Sequence, residues 1–435
     1  MRVTDWRSIF NIKLAMFLPV KNEVIMNKNS EIFNLLHLEH NRQNNGINLI
    51  ASENYASESV LKLTGSCLMN KYVEGYPGAR YYSGCEFVDQ LEIKAQDLFK
   101  KLFGVEHVNV QPHSGSQANQ AAFLAFLNPG DTILSMKLAA GGHLTHGHPI
   151  NMTGKLFKIA SYSVSEKTEH IDYDEVERLA MEHKPKMIIA GASAYSRTID
   201  FERFGNIAKK SGALLLADIA HIAGLVVAGL HPSPFPYADI VTTTTHKTFR
   251  GPRGAVIMCK KEFAKVIDRA VMPGTQGGAF AHVIAAKAQA CEEALAPEYV
   301  VYQKQVILNA QAMSNWFQSA GYRIVAGGTD NHLFMIDLTD KNISGKEVEK
   351  ALEQAQIFVN RNMVPFDTRS PLETSGIRIG TPAITSRAAN VEIAIEIAQL
   401  IHEIISFCIE FKDHDVIKTK YKQSVENITQ RLKIF

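Results

Sequence analysis

The 435-residue chain reads as an α/β protein: a largely parallel sheet with helices on both faces, followed by a smaller α+β region. Three observations predict this. Short apolar runs alternate with helically spaced segments from about residue 105 to residue 245. Polar residues of chemical interest fall where those runs end, the edge at which open α/β sheets bind ligands. From Ala279 the pattern changes to a long helix and then to mixed short elements.

The elements follow in order. Ser30 opens a helical pattern with Ile32, Leu35, Leu36 and Leu38 on one side, and Asn45-Gly46 stops it. Ile47 to Ile50 is a short extended run, and the apolar spacing is helical from about Val88 to Phe103. Val108–Val110 reads as a strand and Ser116–Leu127 as a helix. Further strands are expected at Thr132–Leu134, Lys186–Ala190, Ala213–Ala217 and in the β-branched run from Val241. Helices are expected at Asp174–His183 and Arg203–Ser211. The long helix runs from Ala279 to about Ala320, with a break near Pro297. Then come apolar runs at Tyr322–Val325 and Leu333–Leu338, a helix over Gly345–Ala355, a strand over Ile357–Asn360 and a final helix from Asn390 to about Phe411. The expected organisation is an N-terminal arm and helix over 1–45, a large domain over 46–296 and a small domain over 297–435.

Composition excludes several classes. At 46% hydrophobic and 21% charged, the chain has enough apolar surface to fold. Forty-six basic against 44 acidic residues leave +2, so no broad basic face for nucleic acid is expected. No apolar run reaches the length of a membrane span. Cys67, Cys85, Cys259, Cys291 and Cys408 are odd in number, widely spaced and without metal-binding spacing, so a reducing, cytoplasmic home is expected. Residues 1–29 scatter Arg2, Arg7 and Lys13 among apolar residues, with no continuous apolar core or cleavage site. They are expected to be an upstream start or a poorly ordered arm.

Three constellations carry chemistry. In Val108–Asn119 a strand ends, a small polar turn follows and a helix begins. Ser114, Gly115 and Ser116 then sit where first-turn N–H groups lack partners, a place that suits a phosphate; Ser114 would also serve as an ordinary cap. In Leu214–His221 an apolar strand delivers Asp218 at its carboxyl end, with His221 three residues on. Such a carboxylate could keep a ring nitrogen protonated or simply cap a loop. In Val241–Gly254 a strand with four threonines runs into His246-Lys247 and a turn with Gly251, Pro252 and Gly254. A lysine at the end of a buried strand has its charged form penalised, which frees the amine for a Schiff base. Together they are what pyridoxal 5′-phosphate needs: a phosphate anchor, a partner for the pyridinium nitrogen and an amine.

The residues then become recognisable. Leu49–Asn54, Asn70–Gly78, Arg80–Tyr82, Gln111–Asn119, Gly141–Gly147, Asp218–Gly224, Thr242–Gly254, Gly327–His332 and Thr374–Ala383 closely resemble the serine hydroxymethyltransferases. These belong to the aspartate aminotransferase-like, fold type I group of pyridoxal-phosphate enzymes. The resemblance runs from about Ser30 to the last helix. It implies a large domain with a mostly parallel seven-stranded sheet and a smaller C-terminal domain. It implies exchange of a one-carbon unit between L-serine plus tetrahydrofolate and glycine plus 5,10-methylenetetrahydrofolate.

The resemblance also implies roles. Lys247 matches the Schiff-base lysine, Asp218 the ring-nitrogen partner and His143 the residue stacked on the ring. His221 and Ser193 match positions beside the ring hydroxyl, Ser114, Gly115 and Ser116 the phosphate cradle, and His246 its flank. Arg378, assisted by Ser52, matches the grip on the substrate carboxylate, with Arg253 in support. Glu74 matches the acid/base group for the serine hydroxyl, surrounded by Tyr72, Tyr81 and Tyr82. Tyr72, Glu74, Tyr82, Gly277 and Gly278 are expected to enter the site from a neighbouring subunit, making at least a homodimer with shared sites. The folate is expected near Glu74, Tyr81, Leu138, Gly142, His143, Leu144, Asn362, Ser370, Pro371 and Leu372. Departures from the family pattern include Ala139-Ala140, Thr275, Ala279-Phe280-Ala281 and Leu372; none removes a catalytic group. The rival reading is a folate-independent threonine or allo-threonine aldolase of the same fold, against which Glu74, Leu138 and Leu144 speak. A second rival, a catalytically dead relative, is opposed by the intact Lys247, Asp218, His143, Glu74 and Arg378.

Overall fold

A computed structural model describes residues 30–411 and 416–432. The segment 1–29, expected to be an arm or an upstream start, lies outside the described residues. Two units are distinguished, one ending at Asn45 and the other running from Gly46 to Phe435. In the first, α1 (Glu31–Asn45) is the helix expected after Ser30.

In the second unit, seven strands form one sheet: β1 His107–Asn109, β2 Thr132–Met136, β3 Lys158–Tyr162, β4 Met187–Ala190, β5 Leu214–Asp218, β6 Ile240–Thr244 and β7 Ala255–Cys259. Their spatial order is β1-β7-β6-β5-β4-β2-β3. Strands β2 to β6 pair in parallel. Strand β7 runs antiparallel to both its neighbours, β6 and β1. The mostly parallel seven-stranded sheet is therefore as expected. Strands β3 and β7 are not among those expected, because Lys158 and Ser161 interrupt one and a tight turn runs straight into the other.

Alternation along each strand divides the interior into two packed layers. Leu215, Ala217, Val241 and Val256 pack on one side with Phe99 and Phe204. Leu216, Ile240, Ala255 and Ile257 pack on the other with Phe123 and Ile267. The covering helices include α2 Glu86–Phe103, α3 Gly115–Phe126, α4 Tyr173–His183 and α5 Phe201–Ser211. The side chains of Ser114, Asp172 and Asp200 accept first-turn N–H groups of α3, α4 and α5, satisfying donors that a helix start leaves open.

The long helix expected from Ala279 is two helices, α6 Ala281–Ala294 and α7 Pro297–Ser319. Pro297 stands in the first turn of α7, where its missing N–H costs nothing. A second sheet follows: β8 Arg323–Ile324, β9 Leu333–Asp337, β10 Asn360–Asn362 and β11 Gly376–Gly380, in the order β8-β9-β11-β10 and antiparallel throughout. The strand expected over Ile357–Asn360 is divided: Ile357–Phe358 pairs in parallel with Ile47–Asn48, and Asn360 opens β10. Ile47 and Leu49 pack into the core of this second sheet. Helix Val391–Phe411 is not the final one, because Ile417–Thr429 follows it. No helix among the described residues is long and apolar enough to cross a membrane.

Leu216 is fully buried at the centre of the large sheet. Leu216→Ala is expected to destabilise the fold by about 2–5 kcal/mol, read as a lower midpoint in denaturant. An unchanged midpoint would contradict a core packed on both faces of the sheet.

Candidate active site

The carboxyl ends of β5 and β6 open into a cleft of about 640 Å³. Its wall contains Ser114, Gly115 and Ser116 from the start of α3, His143 from a tight turn, and Asp218, His221, His246 and Lys247 from strand ends. Arg378, Asn362 and Pro371 come from the second sheet and its connections. Ser52, Leu138, Gly142, Leu144, Ser193 and Arg253 complete the expected residues present there.

The four threonines explain how β6 serves this site. Thr242 to Thr245 are all buried. Thr242 Oγ1 donates to Asn119 Oδ1 at 2.7 Å, Thr244 Oγ1 donates to the Ala220 carbonyl at 3.3 Å, and Thr245 Oγ1 donates to the Pro252 carbonyl at 2.6 Å. One strand thereby ties together α3, the loop after β5 and the turn after Lys247. A Cβ at position 115 would come within 2.7 Å of Thr244 Cγ2. Glycine there lets the start of α3 approach the strand end closely enough to form the cradle.

Asp218 is the electrostatic centre. Its Oδ2 accepts hydrogen bonds from Asn119 Nδ2 at 2.9 Å and His146 Nε2 at 3.0 Å, and its Oδ1 accepts one from the Ala220 N–H at 3.1 Å. His146 Nδ1 accepts the His143 N–H at 3.3 Å, which places the ring proton on Nε2, facing the carboxylate. Burial pushes the Asp218 carboxyl up, but the His146 hydrogen bond and the nearby rings outweigh it and hold the group well below the usual range. Neither His146 nor Asn119 was assigned a role by sequence reasoning. Both lie inside the recognised strings, but nothing in the order of residues shows that they meet Asp218.

Burial brings the Lys247 amine down to about 8, with Asp218 opposing the shift and Arg378 and Arg253 adding to it. The residue is 8% exposed. Burial likewise brings His143 to about 4 and His246 to about 3, so both rings are neutral at pH 7. His221 is also driven well down, first by burial and then by Lys247 and Arg378; its Nδ1 lies 3.2 Å from His332 Nε2.

Arg378 occupies the middle of β11. It donates to the Ser193 carbonyl and to Asn360 Oδ1, each at 2.7 Å, while its Nε is buried without a hydrogen-bond partner. Burial lowers its pKa to about 10, so it remains a cation. A buried guanidinium with an unused donor suits a carboxylate. The buried Nδ1 of His246 is also unpartnered. The donor set, the glycine-dependent cradle and the depressed lysine amine fit pyridoxal 5′-phosphate.

Other expected residues lie elsewhere. Tyr72, Glu74, Tyr81, Tyr82, Gly277 and Gly278 do not line this cleft. They form their own group: a Cβ at Gly277 would meet Glu74 Oε1 at 3.0 Å, one at Gly278 would meet the Tyr72 ring at 3.2 Å, and the Tyr72 and Tyr82 rings are 4.8 Å apart. Tyr81 is 73% exposed. Ser370 lines a separate surface hollow, and Leu372 is 71% exposed.

With cofactor removed, modification of Lys247 by a small amine reagent, followed by peptide mass spectrometry, should titrate near pH 8 instead of about 10.4. Asp218→Asn removes a negative charge that favours the ammonium, so the midpoint should fall further. A midpoint near the ordinary value would contradict the burial argument.

A profile of the family described as "Serine hydroxymethyltransferase" matches residues 25–401. The chain is also 57% identical over 401 residues to the serine hydroxymethyltransferase of Coprothermobacter proteolyticus, covering 92% of this chain and 95% of that one. With the sheet, the strand-end lysine and the buried arginine in place, the chain belongs to the serine hydroxymethyltransferase family.

Proposed function

We propose that the cleft is where this chain moves the hydroxymethyl carbon of L-serine to tetrahydrofolate, leaving glycine, with pyridoxal 5′-phosphate as cofactor. The reaction and the cofactor are those of the family. The observation that carries the assignment of residues is the convergence of Lys247, Asp218 and Arg378 on one cleft. When bound, the cofactor supplies a carbonyl that condenses with amines and a ring that accepts electrons from the substrate α-carbon.

The chain's residues supply the rest. Ser114, Gly115 and Ser116 hold the phosphate, with His246 at its flank. The Asp218 carboxylate keeps the ring nitrogen protonated, and His143 covers the ring face. His221 and Ser193 adjoin the ring hydroxyl. Lys247 provides an amine with a substantial neutral fraction near pH 8. Arg378, with Ser52 beside it and Arg253 nearby, receives the substrate carboxylate. Leu138, Gly142, Leu144, Asn362 and Pro371, with Ser370 and Leu372, receive the folate.

Glu74 handles the proton of the serine hydroxyl from a second copy of the chain, accompanied by Tyr72, Tyr82, Gly277 and Gly278, with Tyr81 near the folate. Its absence from the cleft of one chain supports this homodimeric reading. A large domain over 46–296 and a small one over 297–435 are supported by their separate sheets, although Ile47 and Leu49 pack with the second. The cytoplasmic reading is supported by five free cysteines.

Lys247→Ala is expected to abolish turnover together with the visible absorbance of bound cofactor, and full activity would refute the scheme. Serine cleavage that needs no tetrahydrofolate would favour the aldolase reading. Subunit sharing has a sharper test. Lys247→Ala and Glu74→Gln are each expected to be nearly inactive alone. Mixed, unfolded and reassembled in equal amounts, they should recover about a quarter of wild-type activity, because half the dimers carry one intact site. No recovery would place both residues in the same chain's site.

A further inference from the structure

Lys287 lies in α6, outside the cleft, and is 1% exposed. Its Nζ donates to three backbone carbonyls: Val110 at 2.7 Å, Ala255 at 2.8 Å and Pro112 at 3.1 Å. An ammonium has three donors and no acceptor, so the charged form matches this cage bond for bond. A neutral amine would turn a lone pair toward one of the carbonyls. Burial brings the pKa down to about 7, and Glu92 opposes that through space.

The location of the cage is informative. The β1–β7 ladder ends at Asn109 opposite Ile257. Beyond it the chain from β1 runs through Val110 and Pro112 into His113 and the Ser114–Ser116 turn, while β7 begins at Ala255 just after Arg253. Among the described residues, one backbone bond, Ala255 N–H to the Pro112 carbonyl at 3.2 Å, joins the two segments here, and Lys287 bridges them besides. Position 254 supplies an independent sign. A Cβ there would come within 2.6 Å of Lys287 Cε, so glycine leaves room for the lysine stem.

We propose that Lys287 is a positioning residue for the cofactor phosphate. It fixes the end of β1, and with it the cradle, against the start of β7. The inference rests on the reading of Ser114–Ser116 as the phosphate site.

The test compares two ligands that differ only in the phosphate. Full-length protein is stripped of cofactor and titrated with pyridoxal 5′-phosphate and with pyridoxal. Lys287→Met keeps most of the stem and removes all three donors. It should weaken pyridoxal 5′-phosphate binding by about tenfold or more while changing pyridoxal binding by less than about threefold. Gly254→Ala leaves every polar group in place and crowds Cε, so it should shift the ratio of the two affinities in the same direction. It also decides the matter if Lys287→Met does not fold. A merely structural lysine would lower the melting temperature and leave that ratio unchanged, and a wild-type ratio in both variants overturns the proposal. Ser116→Ala separates the two readings. If it leaves the ratio unchanged, the cradle assignment fails and this inference falls with it; if it alone changes the ratio, only the role of Lys287 fails.

Discussion

Asp218 carries a negative charge at the carboxyl end of the central strand, in a place where burial works against that charge. Its ionisation depends on His146, Asn119 and the Ala220 N–H. Those three are themselves held: His146 by the His143 backbone, Asn119 by Thr242, and the Ala220 carbonyl by Thr244. The carboxylate is thus the node where β5, β6, α3 and the 143–146 turn meet. It also opposes the loss of charge at Lys247, so one carboxylate tunes an amine in the same cleft.

The second sheet contributes a charge of the opposite sign under the same constraint. Arg378 sits in the middle of a buried strand and spends two of its donor nitrogens on Ser193 and Asn360. The bond to the Ser193 carbonyl links it to the loop after β4. Its Nε is buried without a hydrogen-bond partner, and an unpaired donor of that kind is costly. An arginine held by two such bonds has its geometry fixed in advance.

Much of this was legible along the chain. The alternation of β-branched runs with capped helices revealed the parallel part of the sheet apart from β3, since each such element obeys a local period. Lys247, Asp218 and the Ser114–Ser116 turn stood out because each lies at or just past the end of a strand. Strands β3 and β7, the division of Ile357–Asn362 between two pairings and the helix after Phe411 were not legible. Short strands are chosen by the partners available to them in space, and their own sequences are ambiguous. His146 and Asn119 were passed over for a related reason: their importance lies in whom they touch.

By itself, then, the sequence determined the fold class, the strand-end chemistry and the family resemblance, all of which live in local order and spacing. Only the tertiary structure decided that the Asp218 carboxylate stays ionised, that three carbonyls converge on Lys287 and that Glu74 stands apart from the cleft of its own chain. Protonation and orientation depend on burial and on contacts between residues far apart in the chain, and those quantities come into being only when the layers pack.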